Sequence, residues 1–175
     1  MSTIFLFRGK SATGKTTITN LLSKQLNIAV LRKDDIYDKL AMYNLEHSVL
    51  NSASYDVLAN VLQTNIDGDC NIIIDIALPH NPALNQFLSK VDLTGVQVFQ
   101  FLCICSNNEE WEKRIKQRLI NPAPNQFFKN VEEAVDHYRK MNINPFENEL
   151  VLDSSEDISA IMEKIYEMTK VERMN

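Results

Sequence analysis

Short continuous apolar runs alternate along this chain with longer stretches in which apolar residues recur every three or four positions. Ile4 to Phe7 is the first run, and Ile18, Leu21, Leu22 and Leu26 follow at helical spacing. A run without polar interruption fits a central strand covered on both faces. Ala29 to Leu31 predicts a second strand ending in Arg32-Lys33-Asp34-Asp35, and Ile36, Leu40 and Tyr43 predict a short helix after it. Leu50, Val57, Leu58, Val61, Leu62 and Ile66 predict a longer helix, stopped by Asp67-Gly68-Asp69. Ile72 to Asp75 predicts the third strand, residues 83–91 a helix, Val96 to Ile104 the fourth strand, and Trp111, Ile115 and Leu119 another helix.

Between Ile120 and Asn130 the periodicity fails and Pro122 and Pro124 forbid a continuous helix, so this segment is expected to be mobile. Helical spacing resumes at Val131, Ala134, Val135 and Tyr138; a fifth strand at Glu149 to Leu152 and a closing helix from Ile158 complete the pattern. Strands alternating with helices imply an α/β fold with a parallel sheet and helices on both faces. At 175 residues with no repeat, low-complexity tract or dividing linker, one domain spanning 1–175 is expected.

Composition narrows the partners. A net charge of -5 argues against a surface that wraps duplex nucleic acid, which makes nucleic acid an unlikely partner. No apolar run is long enough to cross a membrane, and residues 1–30 lack a secretory signal pattern, so the cytoplasm is the default location. Cys70, Cys103 and Cys105 form no C-x-x-C pair and are expected to be buried, reduced thiols, with Cys103 and Cys105 on one strand face.

The candidate chemistry begins at Gly9-Lys10-Ser11-Ala12-Thr13-Gly14-Lys15-Thr16, a glycine-rich loop between the first strand and first helix. Glycines let the backbone turn successive N–H groups into one concavity, and the helix that follows adds the positive end of its dipole. Nucleotide phosphates fit such a concavity. Lys15 would reach the β- and γ-phosphates, the Thr16 hydroxyl would ligate Mg²⁺, and the phosphate site extends to Thr17. The chain has only four glycines, and two of them, Gly9 and Gly14, stand in this motif.

Five further positions turn nucleotide binding toward phosphoryl transfer. A guanine-reading Asn-Lys-x-Asp run is absent, and the D-x-x-G match at Asp92 precedes the fourth strand instead of closing the third, which weakens a GTPase reading. Asp34 and Asp35 fall at the carboxyl end of the second strand, where ligands of open α/β sheets bind. One carboxylate there can take the proton of an acceptor hydroxyl while the other caps the next helix. Asp75, closing the third strand, is placed to hold Mg²⁺ through water. Arg114 and Arg118 are four apart on one helix and lead into the proline segment, as guanidinium groups of a lid would. His80, in the loop beyond the third strand, is a lone loop histidine of the kind that is more often structural.

Together these residues resemble the small ATP-dependent kinases of the adenylate-kinase-like superfamily, of AAA_33 type, in the branch containing polynucleotide kinase domains, chloramphenicol phosphotransferase and zeta-type toxins. Lys33-Asp34-Asp35-Ile36-Tyr37 is similar to that branch's acidic pair, whose first aspartate is typically the general base, which implies Asp34 with Asp35 as the alternative. Cys103-Ile104-Cys105 through Arg114 and Arg118 looks like its strand and lid helix, and Leu150 to Ser154, including Asp153, is similar to the strand and loop beside the adenine. The resemblance implies a three-layer P-loop fold with five parallel strands in the order 2-3-1-4-5, a lid over about residues 115–140, Mg-ATP as donor and a small-molecule hydroxyl as acceptor. Where polynucleotide kinases often carry arginine this chain has Asp38, which argues against a polynucleotide acceptor. A nucleotide or polynucleotide kinase and a nucleotide-dependent switch are the alternatives.

Overall fold

The computed structural model describes residues 2–171. Five strands form one parallel sheet: β1 (Thr3–Gly9), β2 (Val30–Arg32), β3 (Ile72–Ile76), β4 (Gln97–Ile104) and β5 (Glu149–Asp153), in the order β2-β3-β1-β4-β5. The helices are α1 (Lys15–Leu26), α2 (Lys33–Leu40), α3 (His47–Asp67), α4 (Asn81–Leu88), α5 (Asn108–Ile120), α6 (Val131–Arg139) and α7 (Ile158–Thr169), with a short 3-10 turn at Ala41–Tyr43.

The period-2 geometry of strands assigns the two faces of the sheet. Phe5, Phe7, Ile73, Phe101 and Cys103 pack toward α1 and α7, where Ile18, Leu22, Ile161 and Ile165 meet them. Ile4, Leu6, Ile72, Ile74 and Ile76 pack on the other face against α3 and α4, through Leu58, Leu62, Leu84 and Phe87. A third cluster, containing Trp111, Ile115, Phe128, Ala134 and Tyr138, joins α5 to α6 beyond the glycine loop. This cluster exists because the 121–130 segment returns Phe128 to the interior, where it is 7% exposed.

Arg8 lies in β1 between apolar neighbours and is fully buried. Its Nε and Nη2 donate to the Glu149 carboxylate at 2.6 Å each, Nη1 donates to Pro79 O and Asn81 Oδ1, and Nη2 also reaches Asn144 O. A buried guanidinium is tolerable only when paired and hydrogen-bonded, and this one is. It ties the β3–α4 connection, which walls the site described below, to the 142–149 loop.

Two expectations change here. Asp34 and Asp35 are not at a strand end followed by a cap: α2 starts at Lys33, Arg32 is its N-cap, and both carboxylates stand in the first helical turn. Negative charge is favourable there because the helix dipole is positive at that end. Of the cysteines, only Cys103 is buried, and burial above all pushes its thiol up to about 12. Cys70 is exposed, because the turn after α3 carries it outside both clusters, and Cys105 falls past the end of β4 at partial burial.

Candidate active site

The glycine loop joins β1 to α1 across the middle of the sheet. Gly9 has φ +148° and its Cα hydrogen faces the Cys103 carbonyl so closely that a Cβ would lie 2.2 Å from that oxygen. Gly14, at φ +78°, is the N-cap of α1, and a Cβ on it would meet Ser154 at 3.0 Å. Only glycine fits either position without displacement. Around this turn Tyr138 accepts the Ser11 N–H at 2.9 Å, and the Trp111 indole N–H donates to Ser11 O at 2.9 Å, so the third cluster holds the loop from below. Lys15 Nζ donates to Gly9 O and Lys10 O, at 3.1 and 2.7 Å, which folds it across the mouth of the loop. Lys10 is turned the other way, its Nζ 5.6 Å from the ring centroids of both Trp111 and Tyr138, so it contributes backbone and not charge to the concavity.

A cavity of about 490 Å³ extends from the loop between α5 and the β5–α7 turn, lined by Ala12, Gly14, Thr17, Arg114, Arg118 and Ser154. Arg114 donates to Ser154 Oγ at 2.7 Å and Ser154 O at 3.0 Å, and is braced by Glu110 at 3.1 Å. Arg118 donates to Ser11 Oγ at 2.9 Å. The two arginines therefore line one side of this cavity, Arg118 reaching the loop and Arg114 the β5–α7 turn, as their four-residue spacing allows. Asp153 differs from expectation: it does not line this cavity. Its carboxylate accepts from Ser106 N and from Ser155 N and Oγ, and although burial pushes its pKa up, these bonds outweigh it and hold it at about 2. Capping the adjacent turn consumes the side chain, and Ser154 and Glu156 face the cavity in its place.

On the other side of Lys15, Thr16 Oγ1 donates to Asp75 Oδ2 at 2.9 Å. Asp75 is 7% exposed, and Arg32 Nε stands 3.6 Å from the same oxygen as a buried donor with no hydrogen-bond partner. The donor set of Thr16 and Asp75 fits Mg²⁺, which keeps several waters and takes one or two protein oxygens together with phosphate oxygens. Sequence reading missed Arg32, whose position at the last residue of β2 was the available signal.

Asp34 and Asp35 both border a cavity of about 300 Å³ shared with Thr16 and Asp75, and they differ beyond it. Asp35 is 70% exposed on its side chain and faces Arg32 at 3.7 Å. Asp34 lies beside Lys33 Nζ at 3.8 Å and borders a larger cavity of about 360 Å³, which also touches Lys15, Thr16 and Asp75. Lys33 is itself buried, 4.4 Å from the Tyr37 ring centroid and 5.3 Å from that of Tyr55; burial, first, lowers its pKa, against the opposing pull of Asp34 and Asp38. The far wall comes from the 121–130 segment. Asn125 is pinned to α2 by donating from its backbone N–H and side-chain amide to Asp38, at 2.9 to 3.0 Å. His80 also lines this cavity, with Nδ1 accepting the Asn142 N–H at 3.1 Å, so the histidine set aside on sequence grounds belongs to the site.

Residues 4–141 match the sequence profile of a family described as AAA domain, AAA_33. No curated protein matches the chain in sequence. Among solved structures, a sugar kinase from Janibacter sp. HTCC2649 superposes with a TM-score of 0.69 at 15% identity, covering 98% of this chain and 96% of its own. The APS kinase CysC of Mycobacterium tuberculosis, in complex with AMPPNP and APS, gives 0.68 at 18% identity over 97% and 98% of the two chains. Kti12 of Chaetomium thermophilum, in complex with ADP-AlF3, gives 0.69 at 13% identity over 94% and 98%.

Proposed function

We propose that this chain, which belongs to the AAA_33 family of AAA domains, is an ATP-dependent phosphotransferase that moves the γ-phosphoryl group of Mg-ATP to a hydroxyl of a small molecule. The observation that carries this reading is the position of Asp34, on the border of a cavity that also reaches Lys15, Thr16 and Asp75. A protein that only binds or slowly hydrolyses nucleotide needs no enclosed space with a carboxylate opposite the phosphate loop. The nucleotide complexes of the APS kinase and of Kti12 lend support, since those chains share this fold.

In this reading the loop from Gly9 to Thr17 cradles the phosphates through backbone N–H groups, and the cavity beside Arg114 and Ser154 receives the base. Bound Mg²⁺, held through Thr16 and Asp75, supplies neutralisation of phosphate charge. Lys15 leaves the carbonyls of Gly9 and Lys10 for phosphate oxygens, and Arg114 and Arg118 meet the charge that spreads over the transferring group. The acceptor oxygen forms a bond to the γ-phosphorus as the bridging bond to ADP breaks, and its proton passes to Asp34. Residues 115–140 act as the lid of this one-domain enzyme, latched by Asn125 on Asp38, and exclude water that would compete with the acceptor. Asp35, facing Arg32 and largely in solvent, is the alternative base.

The test is transfer from γ-labelled ATP into a metabolite pool, read by mass spectrometry, with wild type and Asp34→Asn in parallel. A labelled product that falls by about 10²–10⁴-fold in the variant is expected of a general base. Full transfer by Asp34→Asn removes the base assignment, and only slow hydrolysis by the wild type removes the phosphotransferase reading.

A further inference from the structure

The cavity beyond Asp34 also carries information about what it accepts. All three histidines of the chain, His47, His80 and His137, line it, although they come from three separate elements. Phe127 and Phe128 join them from the 121–130 segment. The Phe127 ring centroid lies 5.3 Å from that of His47 and 5.8 Å from that of His137, while Phe128 lies 5.1 Å from His137. Phe127, which lines the cavity, nevertheless remains 59% exposed. Rings at these separations offer faces and edges to a further planar group.

The charges on the cavity give the second half of the argument. Its cations are Lys15, Lys33 and Arg118, and its carboxylates are Asp34 and Asp75. Lys15 and Arg118 are directed at the glycine loop, where ATP phosphates would engage them. Lys33 lies at 3.8 Å from Asp34, and burial, first among its influences, already weakens its charge. No arginine other than Arg118 lines the cavity, so nothing offers the guanidinium fork that a second phosphate would need. The Asn51 amide has no partner in the protein, among the described residues, and His80, with Nδ1 accepting from Asn142, carries its ring proton on Nε2 when neutral.

We infer that the acceptor of this site is a neutral, phosphate-free compound carrying an aromatic or heteroaromatic ring, seated against Phe127 and His137, with its hydroxyl toward Asp34. This rests on the phosphotransferase reading for the location of the site, and the volume of about 360 Å³ suits a ligand of that kind. A nucleoside monophosphate or a sugar phosphate would find no guanidinium fork here once Arg118 is engaged at the glycine loop, and a free sugar would leave the aromatic wall without a stacking partner.

The inference is tested by saturation-transfer NMR and calorimetry on the full chain with Mg²⁺ and a non-hydrolysable ATP analogue. The probes are neutral ring alcohols, including benzyl alcohols and nucleosides, their phosphate monoesters, and free pentoses and hexoses. At least one ring alcohol is expected to bind about tenfold or more tightly than its own phosphate ester and than the sugars. Phe127→Ala, at an exposed position, is expected to keep its melting temperature and lose about tenfold or more of that affinity, in line with a lost stacking face. Asn51→Ala serves as a second variant with a smaller loss. Equal or tighter binding of the phosphate esters or sugars, no ring alcohol binding at all, or a Phe127→Ala protein with unchanged affinity each overturn the inference. Labelled ATP separates the two levels: transfer to a sugar phosphate keeps the phosphotransferase reading and sinks this one, and a ring alcohol that binds as expected but receives no phosphate keeps the ligand class of the cavity and removes its role as acceptor.

Discussion

The loop from Gly9 to Thr16 shapes its concavity with backbone, whereas the cavity beyond Asp34 is walled by side chains from α2, α3, the β3–α4 connection, the 121–130 segment and α6. The loop is specified by eight consecutive residues, and each glycine in it answers a steric demand from one neighbour, Cys103 O for Gly9 and Ser154 for Gly14. The cavity has no such local code. Its walls are set by contacts such as Asp38 with Asn125, 87 residues apart, and Arg8 with Glu149, 141 apart. In the proposed reading one half of the site would meet the phosphates common to all nucleotides, and the other would set the acceptor.

The largest expected effect comes from the residue that fixes the cavity side. Arg8→Met leaves Glu149 buried without its partner and releases Pro79, Asn81 and Asn144, and a loss of about 3–5 kcal/mol in stability is expected by denaturant unfolding. If stability holds and only the cavity loses ligand affinity, the two halves are more independent than Arg8's position between them suggests.

Lys15→Ala breaks the loop side alone. Turnover is expected to fall by about 10²–10³-fold, the range for one lost stabilising donor, while acceptor binding measured without turnover stays as in wild type. Unchanged turnover would remove Lys15 from the phosphate site.

Gly9→Ala tests the claim that this half is made of backbone. Its Cβ would meet a carbonyl oxygen at 2.2 Å, and β4 cannot yield without disturbing the sheet, so an overpacking cost of about 1–3 kcal/mol is expected in thermal or denaturant melts. An unaffected melt would mean that the loop can be rebuilt, and the contrast with the cavity would shrink.

The smallest effect is on pH dependence, at the aromatic wall. Burial, with the Lys140 charge, holds His137 below the ordinary histidine range. Its neutral form is therefore favoured by folding; that contribution is complete above the unfolded value and is lost as pH falls below about 6.5, where the unfolded chain binds the extra proton. Melting temperatures at about pH 7.5 and about pH 5.5 should differ more in wild type than in His137→Gln. Equal differences would place no proton-linked contribution at this ring.

Sequence alone determined the strand and helix succession, the parallel α/β class and the glycine-rich turn between the first strand and first helix, while the strand order came only from the family resemblance. Each is written locally: apolar runs flanked by helical spacing fix the elements, and a glycine-rich turn between a strand and a helix is made from adjacent residues. The same locality brought Arg114 and Arg118 to one helix face. Only the tertiary structure decided that Asp34 alone reaches the cavity walled by Phe127 and the histidines, while both aspartates border the smaller cavity beside Thr16 and Asp75. It also decided that Asp153 is spent on Ser106 and Ser155, that Lys10 turns toward Trp111, and that three histidines distant in sequence share one wall. The physical reason is that a site made of backbone is fixed by its own few residues. A site made of side chains depends on the paths of distant segments, and here those paths are set by Arg8, Asp38 and Phe128, whose pairings no spacing in the sequence announces.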